Sequence, residues 1–176
     1  MKSQSIRKRP LPVAIWRHIS GFWKLKPGTK LLLFEAFVAL GWARIRKAMP
    51  FSRIAPSLGE SMLETSQTAD PSQVRTIIQI SQAVRLMSRY TLWESKCLVM
   101  AMAAMKMLER RRIESTLYLG TGKDEAGKMI AHAWLRSGEF TLTGAEEMHR
   151  FTVIAIFGKV IEGYKNARGS KDGQSV

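Results

Sequence analysis

The sequence predicts an α+β protein in which helices come first and a small antiparallel sheet follows, with a basic helical segment ahead of both. Three observations carry that expectation. Apolar residues recur at helical spacing as far as about residue 111, and from residue 115 the period drops to two. The charge is unevenly placed: residues 1–59 hold 12 Lys/Arg against Glu35 alone and the remainder holds 16 against 13 acids, giving +11 and +3 of the net +14.

A chain of 176 residues fits one compact domain with an appendage. With 45% hydrophobic and 24% charged residues it has the material for a core and is unlike a disordered chain. The expected division is a basic arm and helix over 1–59 that docks a partner or a membrane, a nearly balanced domain over 60–165, and a flexible polar tail over 166–176. The single cysteine excludes an internal disulfide and a cysteine-rich zinc site. No secretory signal opens the chain, so the cytoplasm is the expected location, with the inner face of the membrane as a peripheral station. No motif for nucleic-acid binding occurs.

Taken in order, residues 1–29 alternate Trp16, Phe22 and Trp23 with Arg17, Lys24 and Lys26 before a Pro27-Gly28 turn signal. Leu31 to Ala43 then reads as a helix buried against protein, since 13 residues fall short of the roughly 20 that cross a bilayer. Residues 50–69 carry turn and polar residues and read as a connection. Asp70-Pro71 starts a helix with Val74, Ile77, Ile78, Ala83, Val84 and Met87 at mostly helical spacing. A second helix runs from about Glu94 to Arg111, with Leu98, Met102, Met105 and Leu108 toward the core. STLYLG, IAHAWLR, EFTLT and RFTVIAIF read as four strands.

Between the second and third strands, Ser137-Gly138 reads as a two-residue hairpin turn. That register sets Arg136 opposite Glu139, Trp134 opposite Thr141 and His132 opposite Thr143. Cys97 falls in the first turn of its helix, where unsatisfied backbone N–H groups and the positive end of the dipole favour a thiolate. The Cys97 backbone N–H is the candidate oxyanion donor. A helix-borne thiol needs a base from another element, and His132 on a strand can supply it. Alone, Cys97 reads as core more often than as a nucleophile, and His132 alone carries no more weight; His18 and His149 read as surface or structural.

The text WESKCLVMAMAAMKMLERRRIESTLYLG followed by AHAWLRSGEFTLTG resembles the stand-alone peptidase (B protein) of lasso-peptide biosynthesis, a transglutaminase-like, papain-related cysteine peptidase. Cys97, Gly120, His132 and Trp134 match the family pattern. The basic apolar stretch KLLLFEAFVALGWARIRKAMPF extends the resemblance over nearly the whole chain. The 60–165 region is then the catalytic domain.

The resemblance implies cleavage of the leader from a lasso precursor peptide through a Cys97 thioester, without cofactor or metal. It also implies a separate small leader-binding protein and an ATP-dependent cyclase as partners. One departure stands out: family members complete the triad with an Asp about a dozen residues after the histidine, where this chain reads Thr143-Gly144. Thr143 is the candidate for the third position, with Glu147 or Glu146 as substitutes from the following loop; Trp134 is a candidate substrate contact. Transfer of the acyl group to an amine, and a non-enzymatic basic peptide- or membrane-binding adaptor with a packed Cys97, remain as alternatives.

Overall fold

The computed structural model describes residues 26–161. The expected tail and the first 25 residues of the basic arm, with His18, lie outside them. The chain divides into two compact units, Met1–Leu31 and Leu32–Val176, and nearly all described residues belong to the second.

Helix α1 (Pro27–Lys47) takes Pro27 into its first turn, where a missing N–H costs nothing. The expected turn there is a helix start instead. Leu33, Ala36, Ala39, Leu40 and Ala43 are buried along one face. The expected 50–69 connection is more ordered than its composition suggests. It holds a short helix α2 (Phe51–Ile54), a 3-10 turn (Ala55–Ser57) and a two-residue strand β1 (Glu60–Ser61). Buried Thr65 then bonds Thr116, its N–H donating to the hydroxyl at 3.0 Å with the two hydroxyls 2.8 Å apart.

Helix α3 (Pro71–Ser88) starts as expected: the Asp70 carboxylate accepts the Ser72 N–H at 2.8 Å, which holds that carboxyl below its ordinary range. Ile77, Ile80, Ala83 and Val84 face inward. Helix α4 (Cys97–Glu109) is buried almost all round, as befits a central helix. Met102, Met105 and Met107 are packing residues.

The sheet comprises β1, β2 (Ser115–Lys123), β3 (Met129–Ser137), β4 (Phe140–Thr143) and β5 (Thr152–Lys159). Its order is β1-β5-β2-β3-β4, with every pairing antiparallel. The four expected strands are present, and β1 is additional. On one face Leu117, Ala133, Leu135 and Phe157 enter the core; on the other Tyr118 stacks on Trp134 with centroids 5.5 Å apart.

The hairpin turn falls at Gly138-Glu139, one residue later than expected. Ser137 pairs with Phe140, Arg136 with Thr141, and after a bulge Leu135 with Thr143. Gly138 takes φ +56° there, and the Glu139 carboxylate accepts the Ala69 N–H at 2.9 Å. That tertiary bond, invisible in a local reading, favours Glu139 inside the turn.

Candidate active site

Cys97 is the first residue of α4 and is half-buried. The preceding Lys96 provides no side-chain cap, and the first intrahelical bond runs from Met100 N–H to the Lys96 carbonyl at 3.1 Å. The N–H groups of Cys97, Leu98 and Val99 therefore point out of the helix end without helical acceptors. The loop leading to them is held in place. Thr91 Oγ1 donates to the Trp93 carbonyl at 3.0 Å and lies 2.9 Å from Ser95 Oγ, while the Trp93 ring packs on Phe37 of α1 at 5.3 Å. Glu94 pairs with Lys96 at 2.7 Å, holding the ammonium above and the carboxyl below their ordinary ranges.

Cys97 opens α4 and His132 lies on β3, and these two elements pack against each other. Glu109, the last residue of α4, pairs with Lys159 at 3.0 Å, and Lys159 lies opposite Ser115 in the sheet. From Glu109 back to Cys97 the helix rises about 18 Å. From Ser115 to Gly120, the partner of His132, the strand runs about 17 Å. The two runs are of similar length. Among the described residues no hydrogen bond joins Cys97 to His132; the imidazole is engaged elsewhere.

His132 Nε2 lies 3.0 Å from the Gly144 carbonyl oxygen. A carbonyl only accepts, so in the neutral ring Nε2 carries the proton and Nδ1 keeps its lone pair. The ring also stacks against Phe151 at 4.8 Å and Trp134 at 6.0 Å. This arrangement needs glycine at two neighbouring positions. At Gly120 a Cβ would sit 3.0 Å from both Phe151 Cβ and Trp134 Cζ3, and at Gly122 one would meet the Arg150 carbonyl oxygen at 2.8 Å.

Gly144 itself has φ +76°, and a Cβ there would meet the Ala133 carbonyl oxygen at 2.5 Å and His132 Nε2 at 3.0 Å. The chain leaves β4 through this residue and crosses close over β3, which aims the carbonyl at the ring.

The other expected site residues occupy different surroundings. Thr143 lies opposite Leu135, and its hydroxyl is buried without a hydrogen-bond partner. Glu147 is exposed ahead of the Met148–Arg150 3-10 turn, which also carries exposed His149. Glu146 pairs with Arg85 at 3.3 Å. Trp134 is buried and both packs the sheet and walls the imidazole. Sequence reasoning passed over Phe151, Gly122 and the Gly144 carbonyl. The alternation Gly120-x-Gly122 on one strand face was the available signal that bulky rings lie across it.

Among the described residues no cluster of three or more His, Cys, Asp or Glu could hold a metal ion. None of the described helices is long and apolar enough to cross a membrane.

The sequence pattern of the transglutaminase-like superfamily matches residues 37–156, which include Cys97, His132 and Gly144. The chain belongs to that superfamily. Transglutaminase-like proteins are usually cysteine hydrolases or transferases, and the α+β fold agrees with membership. No curated protein matches the chain, and no solved structure does.

Proposed function

We propose that this transglutaminase-like protein is a cysteine peptidase that removes the leader from a lasso precursor peptide, with Cys97 as nucleophile and His132 as base. The observation that carries the reading is the His132 Nε2 contact with the Gly144 carbonyl, because it reserves Nδ1 for proton transfer. Gly144 lies 12 residues after His132, the spacing at which the resembled peptidases carry their triad acid. A backbone carbonyl there takes over the orienting role without a carboxylate's charge, while the Thr143 hydroxyl is buried opposite Leu135 and Glu147 is exposed in the following loop.

In the proposed cycle Nδ1 accepts the Cys97 thiol proton and the thiolate attacks the carbonyl at the leader junction. The oxyanion is held by the Cys97 N–H, with the open end of α4 adding its dipole. The imidazolium donates from Nδ1 to the leaving amine, and the leader remains as a thioester on Cys97. Water, deprotonated by Nδ1, attacks the thioester; the leader leaves as a free acid and the thiol regains its proton. The freed amine of the core peptide is then a substrate for an ATP-dependent cyclase, and a small leader-binding protein delivers the precursor.

The deciding assay incubates precursor, leader-binding protein and either wild type or Cys97→Ala, with products read by mass spectrometry. Free leader acid from wild type alone supports the peptidase. A leader joined to an added amine identifies acyl transfer instead, and undiminished cleavage by Cys97→Ala ends the enzymatic reading.

A further inference from the structure

Helix α1 turns two unlike faces outward and inward. Phe34, Val38 and Ile45 are 65%, 54% and 71% exposed, forming an apolar stripe along the outer side. The only acid of residues 1–59 is Glu35, and it is directed inward to Arg111 at 2.6 Å and Arg110 at 3.4 Å. Exposed Arg44 and Lys47 lie in the last turn of the same helix and exposed Arg53 in α2, with no carboxylate among residues 36–59; from outside that stretch exposed Glu94 feels Arg44 and Lys47.

From this we infer that the outer face of α1 lies on a bilayer surface rich in anionic headgroups. The apolar stripe enters the headgroup boundary while the cations contact phosphates, the pairing of two weak signals that makes interfacial binding stable. Helix α1 is not long and apolar enough to cross a membrane. Charge complementarity decides for lipid over a neutral protein groove, because Glu35 is neutralised inside the fold and exposed Glu94, which feels Arg44 and Lys47, is already paired with Lys96, so cations stay in excess along this helix. The same stripe could seat a second copy of the chain, and the test separates the two. The inference is independent of the proposed peptidase activity.

The full-length protein is sedimented with vesicles of phosphatidylcholine alone or mixed with phosphatidylglycerol. Binding to the mixed vesicles only is expected, weakening with added salt. Val38→Glu/Ile45→Glu should lower vesicle affinity by at least about tenfold, since each side chain removes the burial of one aliphatic group. Arg44→Glu should lower it by roughly fivefold or more, the worth of one cation at such a surface. All three positions are more than one-third exposed, so unchanged thermal unfolding serves as the folding control. Three results overturn the inference: wild type left in the supernatant, vesicle binding indifferent to Val38→Glu/Ile45→Glu, or a wild-type dimer that those substitutions split while vesicles stay unbound. Precursor cleavage without vesicles is expected to be unchanged in these variants.

Discussion

The imidazole Nε2 of His132 and the carbonyl oxygen of Gly144, 3.0 Å apart, join the third strand to the chain leaving the fourth. The bond exists because residue 144 has no Cβ: with φ +76°, a methyl group would press on Ala133 O, Trp134 Cβ and His132 Nε2 at once. Gly144→Ala should therefore move the carbonyl and let the ring turn. We expect kcat for the proposed precursor cleavage to fall about 10²-fold, the cost of misplacing a base by an ångström if His132 acts as proposed, with KM changed little. Equal losses in KM and kcat, or none, would count against an orienting role.

Gly120 makes a separate demand. Phe151 reaches the imidazole by lying across this glycine, where an added methyl group would be 3.0 Å from two aromatic side chains and 3.1 Å from the Thr152 carbonyl oxygen. In Gly120→Ala the stack on His132 should loosen. The ring protons of His132 should move downfield by NMR as the Phe151 ring current is lost, and kcat should drop. An unchanged spectrum would show that Phe151 does not fix the ring.

Arg136 holds the linker before α3 to the hairpin. Its guanidinium donates to Tyr118 Oη at 3.0 Å, to the carbonyls of Ser66 and Gly138 at 2.9 Å, and to the Thr65 carbonyl at 3.2 Å. Lysine cannot reproduce a planar fork reaching several acceptors. Arg136→Lys should cost about 2–3 kcal/mol in urea unfolding by leaving half-buried carbonyls unpaired, whereas a loss below about 0.5 kcal/mol would mean that water replaces the fork.

Much of the architecture was legible because it is local. Asp70-Pro71 marks a helix start through capping chemistry, and the change to period two after residue 115 marks the strands whatever they pair with. Register was not legible, since the one-residue shift of the turn depends on the Ala69 N–H reaching Glu139 from 70 residues away. That shift and the bulge between Leu135 and Arg136 together moved Thr143 from opposite His132 to opposite Leu135. Cys97 and His132 were legible as residue types in a pattern. The Gly144 carbonyl was not, because every residue has one and only tertiary structure aims it. Strand β1 escaped notice because two exposed residues carry no periodicity.

The pH dependence of stability has one well-defined source in Glu35. Hydrogen bonding to Arg111 holds its carboxyl below the ordinary 4.5, outweighing the opposing effect of burial, and the charges of Arg111 and Arg110 act in the same direction. A carboxyl depressed on folding stabilises above its unfolded value and loses that contribution as pH falls through the folded value. Glu35→Gln should thus unfold more easily than wild type at neutral pH by about 1 kcal/mol, a figure kept small because water reaches Arg111 and screens the pair. As pH falls below the unfolded value and on through the lower folded one, the two proteins should converge, since wild-type Glu35 becomes neutral as well. Denaturant titrations of both across that range check this, and a difference that persists unchanged into acid would assign the effect to packing of α1 on α4 rather than to charge.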